Sequence, residues 1–282
     1  MIENIKVFAA DIDMTLAGKG EGLPQVTKDA FKVLRNNGVL LGLATGRELD
    51  DRLKKQAENW GLDYNFDFFI AMNGGQVYNT HNDSYWAIDL MSTSEMRRIM
   101  NHMMPLIDKY KIMVNTEGAG NHSVMNGGDE IVEMMKRHGF EFDDTTGDLD
   151  KFCSKQCFKI LFRTLPEYAD EVRKTFLDEF GDKYQMVSTF PGTLEALEKG
   201  VNKGLGLKRY CDDNGIALDN VISFGDNEND NDMLKVSGWG VALKDGNPKT
   251  IEIANDVTDY DCLDGGVGHY LFDKYITPKG LK

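Results

Sequence analysis

The sequence predicts an α/β chain: a Rossmann-like, doubly wound parallel sheet with an α+β unit inserted into it. Three observations carry that prediction. Apolar runs of strand length at Val7–Ala10, Val39–Ala44 and Val221–Gly225 lack the alternation of a half-exposed strand, as strands covered by helices on both faces do. Helical stretches separate them, which is the β-α-β rhythm of a parallel sheet. From roughly Asp83 to Pro191 the texture changes to helices alternating with short, more amphipathic strands, the mark of a separate unit. Residues 1–82 and 193–282 are therefore expected to form the core, and residues 83–192 the insert.

Composition narrows the function classes. The 282 residues are 41% hydrophobic and 28% charged with only 6 Pro, so disordered and fibrous classes drop out. A net charge of −14 argues against nucleic acid as a partner, since that needs a basic face. An anionic ligand must then find local positive charge. Four cysteines, Cys153, Cys157, Cys211 and Cys262, build no disulfide framework in a chain this long, and the expected compartment is the cytoplasm. No apolar run reaches the ~18 residues of a membrane helix. The amino terminus carries Glu3 and runs straight into a strand pattern, unlike a signal peptide.

Taken in order, residues 5–10 read as a buried strand that ends in Asp11 and Asp13. Alternate residues of an extended chain point the same way, so both carboxylates can address one pocket at the strand's carboxyl end. There they suit a Mg²⁺ site in which one acid also does covalent chemistry; a solvated turn is the other reading of an isolated D-x-D. A calcium loop is excluded, because Leu16 occupies the required glycine position. A glycine-rich loop (Gly18, Gly20, Gly22) follows. Pro24 then starts a helix whose apolar face is Ala30, Phe31, Val33 and Leu34. The next strand stops at Thr45-Gly46-Arg47, a hydroxyl, a flexible backbone and a guanidinium suited to an anion, or alternatively a helix cap with a surface arginine. A helix is expected from about Glu48 to Trp60, and a third strand over Phe66–Met72. Asn73-Gly74 is a hairpin signal, with a plain turn or a pocket-lining loop as its two roles.

Inside the insert, helices are expected over Ser92–Tyr110, Asp129–His138 and Glu167–Phe180, with strands at Ile112–Asn115, Cys157–Arg163 and Tyr184–Thr189. Returning to the core pattern, Gly200-Val201-Asn202-Lys203-Gly204 opens a helix and places an ammonium near its start. Val221–Gly225 ends in Asp226-Asn227-Glu228-Asn229-Asp230, Gly240–Leu243 is a last strand, and the tail from Gly266 is helix-like. A parallel sheet brings such strand ends to one edge.

These four segments, Asp11-x-Asp13-x-Thr15, Ala44-Thr45-Gly46-Arg47, Gly200-Val201-Asn202-Lys203-Gly204 and Gly225-Asp226-Asn227-Glu228-Asn229-Asp230, stand in the order and spacing of four family motifs. In them the chain resembles the haloacid dehalogenase superfamily, specifically its Cof-type phosphatases with a type IIB cap, over nearly its whole length. One departure is Met14, where Cof-type members usually carry glycine.

The resemblance implies a Mg²⁺-dependent phosphatase for a small phosphorylated metabolite such as a sugar phosphate. Asp11 would be the nucleophile and Asp13 the acid and base, with Thr45 and Lys203 completing the catalytic group. Thr45, Gly46, Arg47, Lys203, Asn229, Asn73 and Gly74 would face the phosphate. Asp11, Asp13 through its carbonyl, Asp226, Asn229 and Asp230 would surround the metal. A phosphomutase of the same superfamily and a non-catalytic phosphometabolite-binding protein are the alternatives. A monomer or homodimer, with neither nucleic acid nor membrane as partner, is expected.

Overall fold

The computed structural model describes residues 4–18, 20–128, 133 and 141–282. The chain divides into two compact units, Met1–Ala87 with Val201–Lys282, and Ile88–Gly200. Among the described residues no helix is long and apolar enough to cross a membrane.

The first half of the core unit runs β1 (Val7–Ala10), α1 (Gln25–Asn36), β2 (Leu40–Ala44), α2 (Asp51–Lys54), α3 (Gln56–Asn59), β3 (Phe68–Ala71), β4 (Gln76–Asn79) and β5 (Ser84–Ala87). Strands β1 and β3 are buried along their whole length, as their unbroken apolar sequence requires. Helix α1 turns Ala30, Phe31 and Leu34 inward. The single helix expected over Glu48–Trp60 is instead two one-turn pieces. Asp50 caps α2 by accepting from the Leu53 N–H at 2.8 Å, which fixes its start, and Lys55 at φ −89°, ψ 9° leaves helical geometry and parts α2 from α3.

The second unit contributes α4 (Thr93–Tyr110), β6 (Met113–Glu117), β7 (Ser123–Met125), β8 (Asp143–Asp144), α5 (Leu149–Phe152), β9 (Lys159–Arg163), α6 (Ala169–Phe180), β10 (Tyr184–Phe190) and β11 (Thr193–Glu198). Its six-stranded sheet has the order β10-β11-β9-β6-β7-β8. Met96, Ile99, Met100 and Met103 of α4 and Val172, Phe176 and Phe180 of α6 share one apolar core with Val114, Ile160, Phe162, Leu194 and Ala196 of the strands. The helix expected over Asp129–His138 lies outside the described residues, apart from Glu133.

The core resumes with α7 (Lys203–Asp213), β12 (Val221–Gly225), α8 (Asn231–Val236), β13 (Trp239–Ala242), α9 (Pro248–Ile253), β14 (Asp256–Val257) and α10 (Gly266–Leu271). Its sheet order is β14-β13-β12-β1-β2-β3-β4-β5. The pairs from β14 through to β3 are parallel, and β4 and β5 extend the edge as an antiparallel hairpin. The α/β doubly wound core with an α+β insert is thus present, with an antiparallel edge added. Strand order reverses between β1 and β12, and open α/β sheets bind ligands at the carboxyl ends of such a switch point.

The boundaries differ from those expected at 82/83 and 192/193. Ser84–Ala87 pairs with β4 and so stays with the core, whereas Thr193–Glu198 pairs with β9 and β10 and belongs to the insert. Ser84–Ala87 is bound to the core by its hairpin with β4, and the pairing of Thr193–Glu198 with β9 and β10 is what assigns that stretch to the insert.

Candidate active site

Asp11 and Asp226 leave adjacent strands at the switch point, where the Asp11 N–H donates to the Phe224 carbonyl at 3.1 Å. Lys203 arrives from the first turn of α7, which Asn202 caps by accepting from the Leu205 N–H at 2.8 Å. The Lys203 ammonium has no solvent exposure and donates to Asp11 Oδ1 at 2.7 Å and Asp230 Oδ1 at 2.6 Å. Gly74 makes that approach possible. At φ +98° it lies so close to the backbone before Lys203 that a Cβ would come within 1.9 Å of the Asn202 carbonyl oxygen.

Carboxylate oxygens of Asp11, Asp226 and Asp230 all lie within 4.8 Å of one another. Burial first, then the neighbouring acids, pushes the Asp11 carboxyl well above its ordinary value, against the pull of Lys203. Burial and Asp230 push Asp226 up to about 7, even though Thr15 Oγ1 donates to its Oδ1 at 2.6 Å. For Lys203 burial favours the neutral amine, but Asp11 and Asp230 outweigh it and hold the ammonium above its usual range. Three acids against one ammonium leave the cluster short of positive charge, and oxygen donors alone suit a hard divalent cation. The donor set therefore fits a divalent metal.

Within the cluster the acids are not equivalent. Asp230 spends Oδ1 on Lys203 and Oδ2 on the N–H groups of Asp226 and Asn227, at 3.0 and 3.1 Å. It orders the loop as much as it adds charge. Asp13 stands outside the acid triplet, because Arg47 takes both its oxygens, Nη2 to Oδ1 at 2.6 Å and Nε to Oδ2 at 3.0 Å. Its carboxylate is held in a bidentate ion pair. Asn229 gives its amide to Asn73 Oδ1 at 3.1 Å, and the Asn73 N–H donates to the Thr45 carbonyl at 3.0 Å. A side chain at Gly46 would crowd that same Asn73 amide. Thr45 caps no helix; its hydroxyl accepts from the Arg47 N–H at 3.2 Å.

The structure thus joins buried Asp11, Lys203 and Asp230 with half-buried Asp226 in one group. Asp13 with Arg47, and Thr45 with Asn73 and Asn229, form two further groups on the same loops. Met14 sits at φ +67°, in the left-handed region that glycine adopts without strain, which explains the glycine usual there. Thr15 is a member that sequence reasoning did not single out, although its place in the first segment was a signal. Gln56, which accepts from Arg47 Nη1 at 3.3 Å, had no signal at all.

The chain matches the profile of haloacid dehalogenase-like hydrolases over residues 8–271. YxeH of Bacillus subtilis is 26% identical over 274 residues, covering 95% of this chain and 97% of that protein. The HMP-PP phosphatase of Cronobacter sakazakii is 25% identical over 267 residues, covering 94% of each chain. A solved structure of a haloacid dehalogenase subclass IIB sugar phosphatase superposes with a TM-score of 0.78 at 20% identity, covering 95% of this chain and 98% of that one. That likeness extends to both the core and the inserted unit, so the fold is that of subclass IIB. With the profile spanning all but the ends of the sequence, the chain belongs to the haloacid dehalogenase-like hydrolases.

Proposed function

We propose that this hydrolase is a Mg²⁺-dependent phosphomonoesterase acting on a small phosphorylated metabolite, a sugar phosphate by class. The observation that carries the reading is the buried group in which Lys203 clasps Asp11 beside Asp226 and Asp230. Likeness to an HMP-PP phosphatase supports phosphate esters as substrates, and the fold shared with a sugar phosphatase supports the sugar.

In this reading Lys203 holds Asp11 Oδ1, and Oδ2 attacks phosphorus to form an aspartyl-phosphate. The leaving oxygen takes a proton from Asp13. Asp13 then accepts a proton from water as that water attacks phosphorus, which releases inorganic phosphate and restores the Asp11 carboxylate. Arg47 keeps Asp13 in place through its two hydrogen bonds. Thr45 and Gly46 would meet the phosphoryl oxygens, while Asn73, Gly74 and Asn229 hold those loops. Asp11, Asp226 and the Asp13 carbonyl would hold Mg²⁺, with Asp230 and Asn229 beside them; bound there, the ion supplies charge neutralisation at the phosphoryl oxygens. The test is a panel of phosphorylated metabolites assayed for phosphate release with and without Mg²⁺. Activity that ignores chelation, or an Asp11→Asn variant that turns over like the wild type, overturns the reading.

A further inference from the structure

We propose that Gln56 is a positioning residue, fixing the Arg47 guanidinium that in turn holds Asp13; this rests on the phosphomonoesterase reading and extends it to a side chain outside the four segments. All three residues belong to the core unit.

A guanidinium presents its N–H groups in one rigid plane. Along one edge Arg47 spends Nε and Nη2 on Asp13, at 3.0 and 2.6 Å, and from its remaining nitrogen, Nη1, it donates to Gln56 Oε1 at 3.3 Å. The two bonds to Asp13 set how the partners face each other, but not where the pair sits. The main chain of Arg47 is fixed, its N–H on Thr45 Oγ1 at 3.2 Å and its carbonyl on the Met72 N–H at 2.8 Å. What stays free is the side chain, 44% exposed against 25% for Asp13. A pair joined only to itself can swing through the rotamers of so long a side chain. Gln56 supplies the third point. It is buried, opens α3, and accepts at its carbonyl from the Trp60 N–H at 3.1 Å. Ala57 beside it is fully buried, and Trp60 packs edge-on against Phe66. The break at Lys55 that parts α2 from α3 thus starts a short, packed helix at the residue that reaches Arg47.

Position matters most where Asp13 passes its proton to the leaving oxygen. As the P–O bond breaks, its electron pair goes to that oxygen, which takes the proton and departs as an alcohol. Each carboxyl oxygen has two lone pairs, so Asp13 can carry the proton while Arg47 stays bound. A misplacement of about 1 Å costs up to roughly 10²-fold at such a step. A strongly basic leaving group needs the proton, whereas a weakly basic one departs without it. A residue that acts through Asp13 is therefore felt more by the ester with the more basic leaving group.

Phenyl phosphate and p-nitrophenyl phosphate differ little in shape and much in leaving-group basicity, so the ratio of their kcat/KM values with the full-length protein in Mg²⁺ reads the acid. Gln56→Met removes the acceptor at similar length and is expected to lower the ratio of phenyl to p-nitrophenyl ester about fivefold. Gln56→Glu keeps an oxygen for Nη1 and should restore the ratio. In an Arg47→Met background Gln56→Met should change the ratio no further, because the link it acts through is gone. Exchange of the Arg47 Nε–H with water, followed by heteronuclear NMR without any ester, reads the same link apart from turnover. It should run at least roughly fivefold faster in Gln56→Met. Should Gln56→Met not fold, Gln56→Asn withdraws the same acceptor by one methylene and faces the same outcomes. An unchanged ratio in the folded variant, an equal loss on both esters, or the same fall in the Arg47→Met background overturns the proposal. A wild type inactive on both esters overturns the phosphomonoesterase reading; the exchange rates still decide whether Gln56 fixes Arg47, and equal rates overturn that link.

Discussion

Lys203 in the core unit and Lys159 in the inserted unit are both shut away from solvent, and each is clasped by two carboxylates. Lys203 meets Asp11 and Asp230 at 2.7 and 2.6 Å, and Lys159 meets Glu117 and Glu195 at 3.0 and 2.9 Å. In both places burial works against the ammonium and the acids overcome it, raising the lysine above its usual pKa. The surroundings differ. Glu117, the last residue of β6, lies directly across from Lys159, the first of β9, and Glu195 on β11 pairs with Leu161 two residues along, so three neighbouring strands supply that group. Around Lys203 the acids come from a strand end and a loop, and Asp226 crowds in as a third. A buried lysine between two acids is a brace. A surplus of acids at strand ends turns the brace into a site for a cation and a reaction.

The largest effect that could break this contrast is on turnover. Asp11→Asn is expected to lower phosphate release by at least roughly 10³-fold, the scale of losing a nucleophile. Its melting midpoint should not fall, because one repelling acid is gone. Lys203→Met and Lys159→Met are next. Each leaves buried carboxylates without their cation and should cost about 3–5 kcal/mol in denaturant unfolding. Only Lys203→Met should also abolish turnover, since the proposed chemistry uses no side chain from the inserted unit. Loss of p-nitrophenyl phosphate hydrolysis in a folded Lys159→Met protein would erase the distinction.

How much of this was readable beforehand depended on whether the signal was local. The run Val221–Gly225 is a strand with the bounds expected, because an apolar segment covered on both faces shows its burial in every residue. The acids after it, and those after β1, were readable since their spacing is itself the chemistry. Lys203 alone carried no signal, and its complete burial follows from partners far away in sequence: Asp11 is 192 residues away. In strand β11 Glu195 is buried between Leu194 and Ala196, with Lys159 arriving from another strand as its partner. No local pattern encodes that arrival. The split between α2 and α3 turns on one residue's dihedrals, which a helical periodicity does not report.

The two clusters should also separate by pH. Asp226, whose carboxyl burial and Asp230 push up to about 7, titrates near pH 4 when unfolded. Between those values the folded, metal-free protein holds a proton that the unfolded chain has released, so stability falls as pH rises from about 4 to 7, and Asp11, raised by burial in the same group, adds to the decline. A raised lysine pKa acts elsewhere: its contribution is complete below the unfolded value of about 10.4 and is lost only above it. The Lys159 ammonium therefore adds no slope in this window. Melting midpoints of chelated protein should decline across it by an amount equivalent to a few kcal/mol at most, and Asp226→Asn should flatten the decline. Added Mg²⁺ should raise the midpoint more at pH 8 than at pH 5, because the ion competes with the proton for the same carboxylates.

The smallest effect tests whether the Lys159 group is only a brace. Glu117 keeps 28% of its side chain exposed and Glu195 only 6%. In Glu117→Gln, Lys159 retains its ion pair with Glu195, and water already screens the lost partner, so the cost should be about 1 kcal/mol or less. Glu195→Gln removes the better-buried acid and should cost about 2–3 kcal/mol, because the charge-assisted hydrogen bond it loses lies out of water. Urea midpoints measured side by side give the order. Equal costs would mean that exposure does not grade the two acids. The inserted unit would then hold a cluster coupled as tightly as the one around Lys203, and surplus acid would no longer be what sets the two lysines apart.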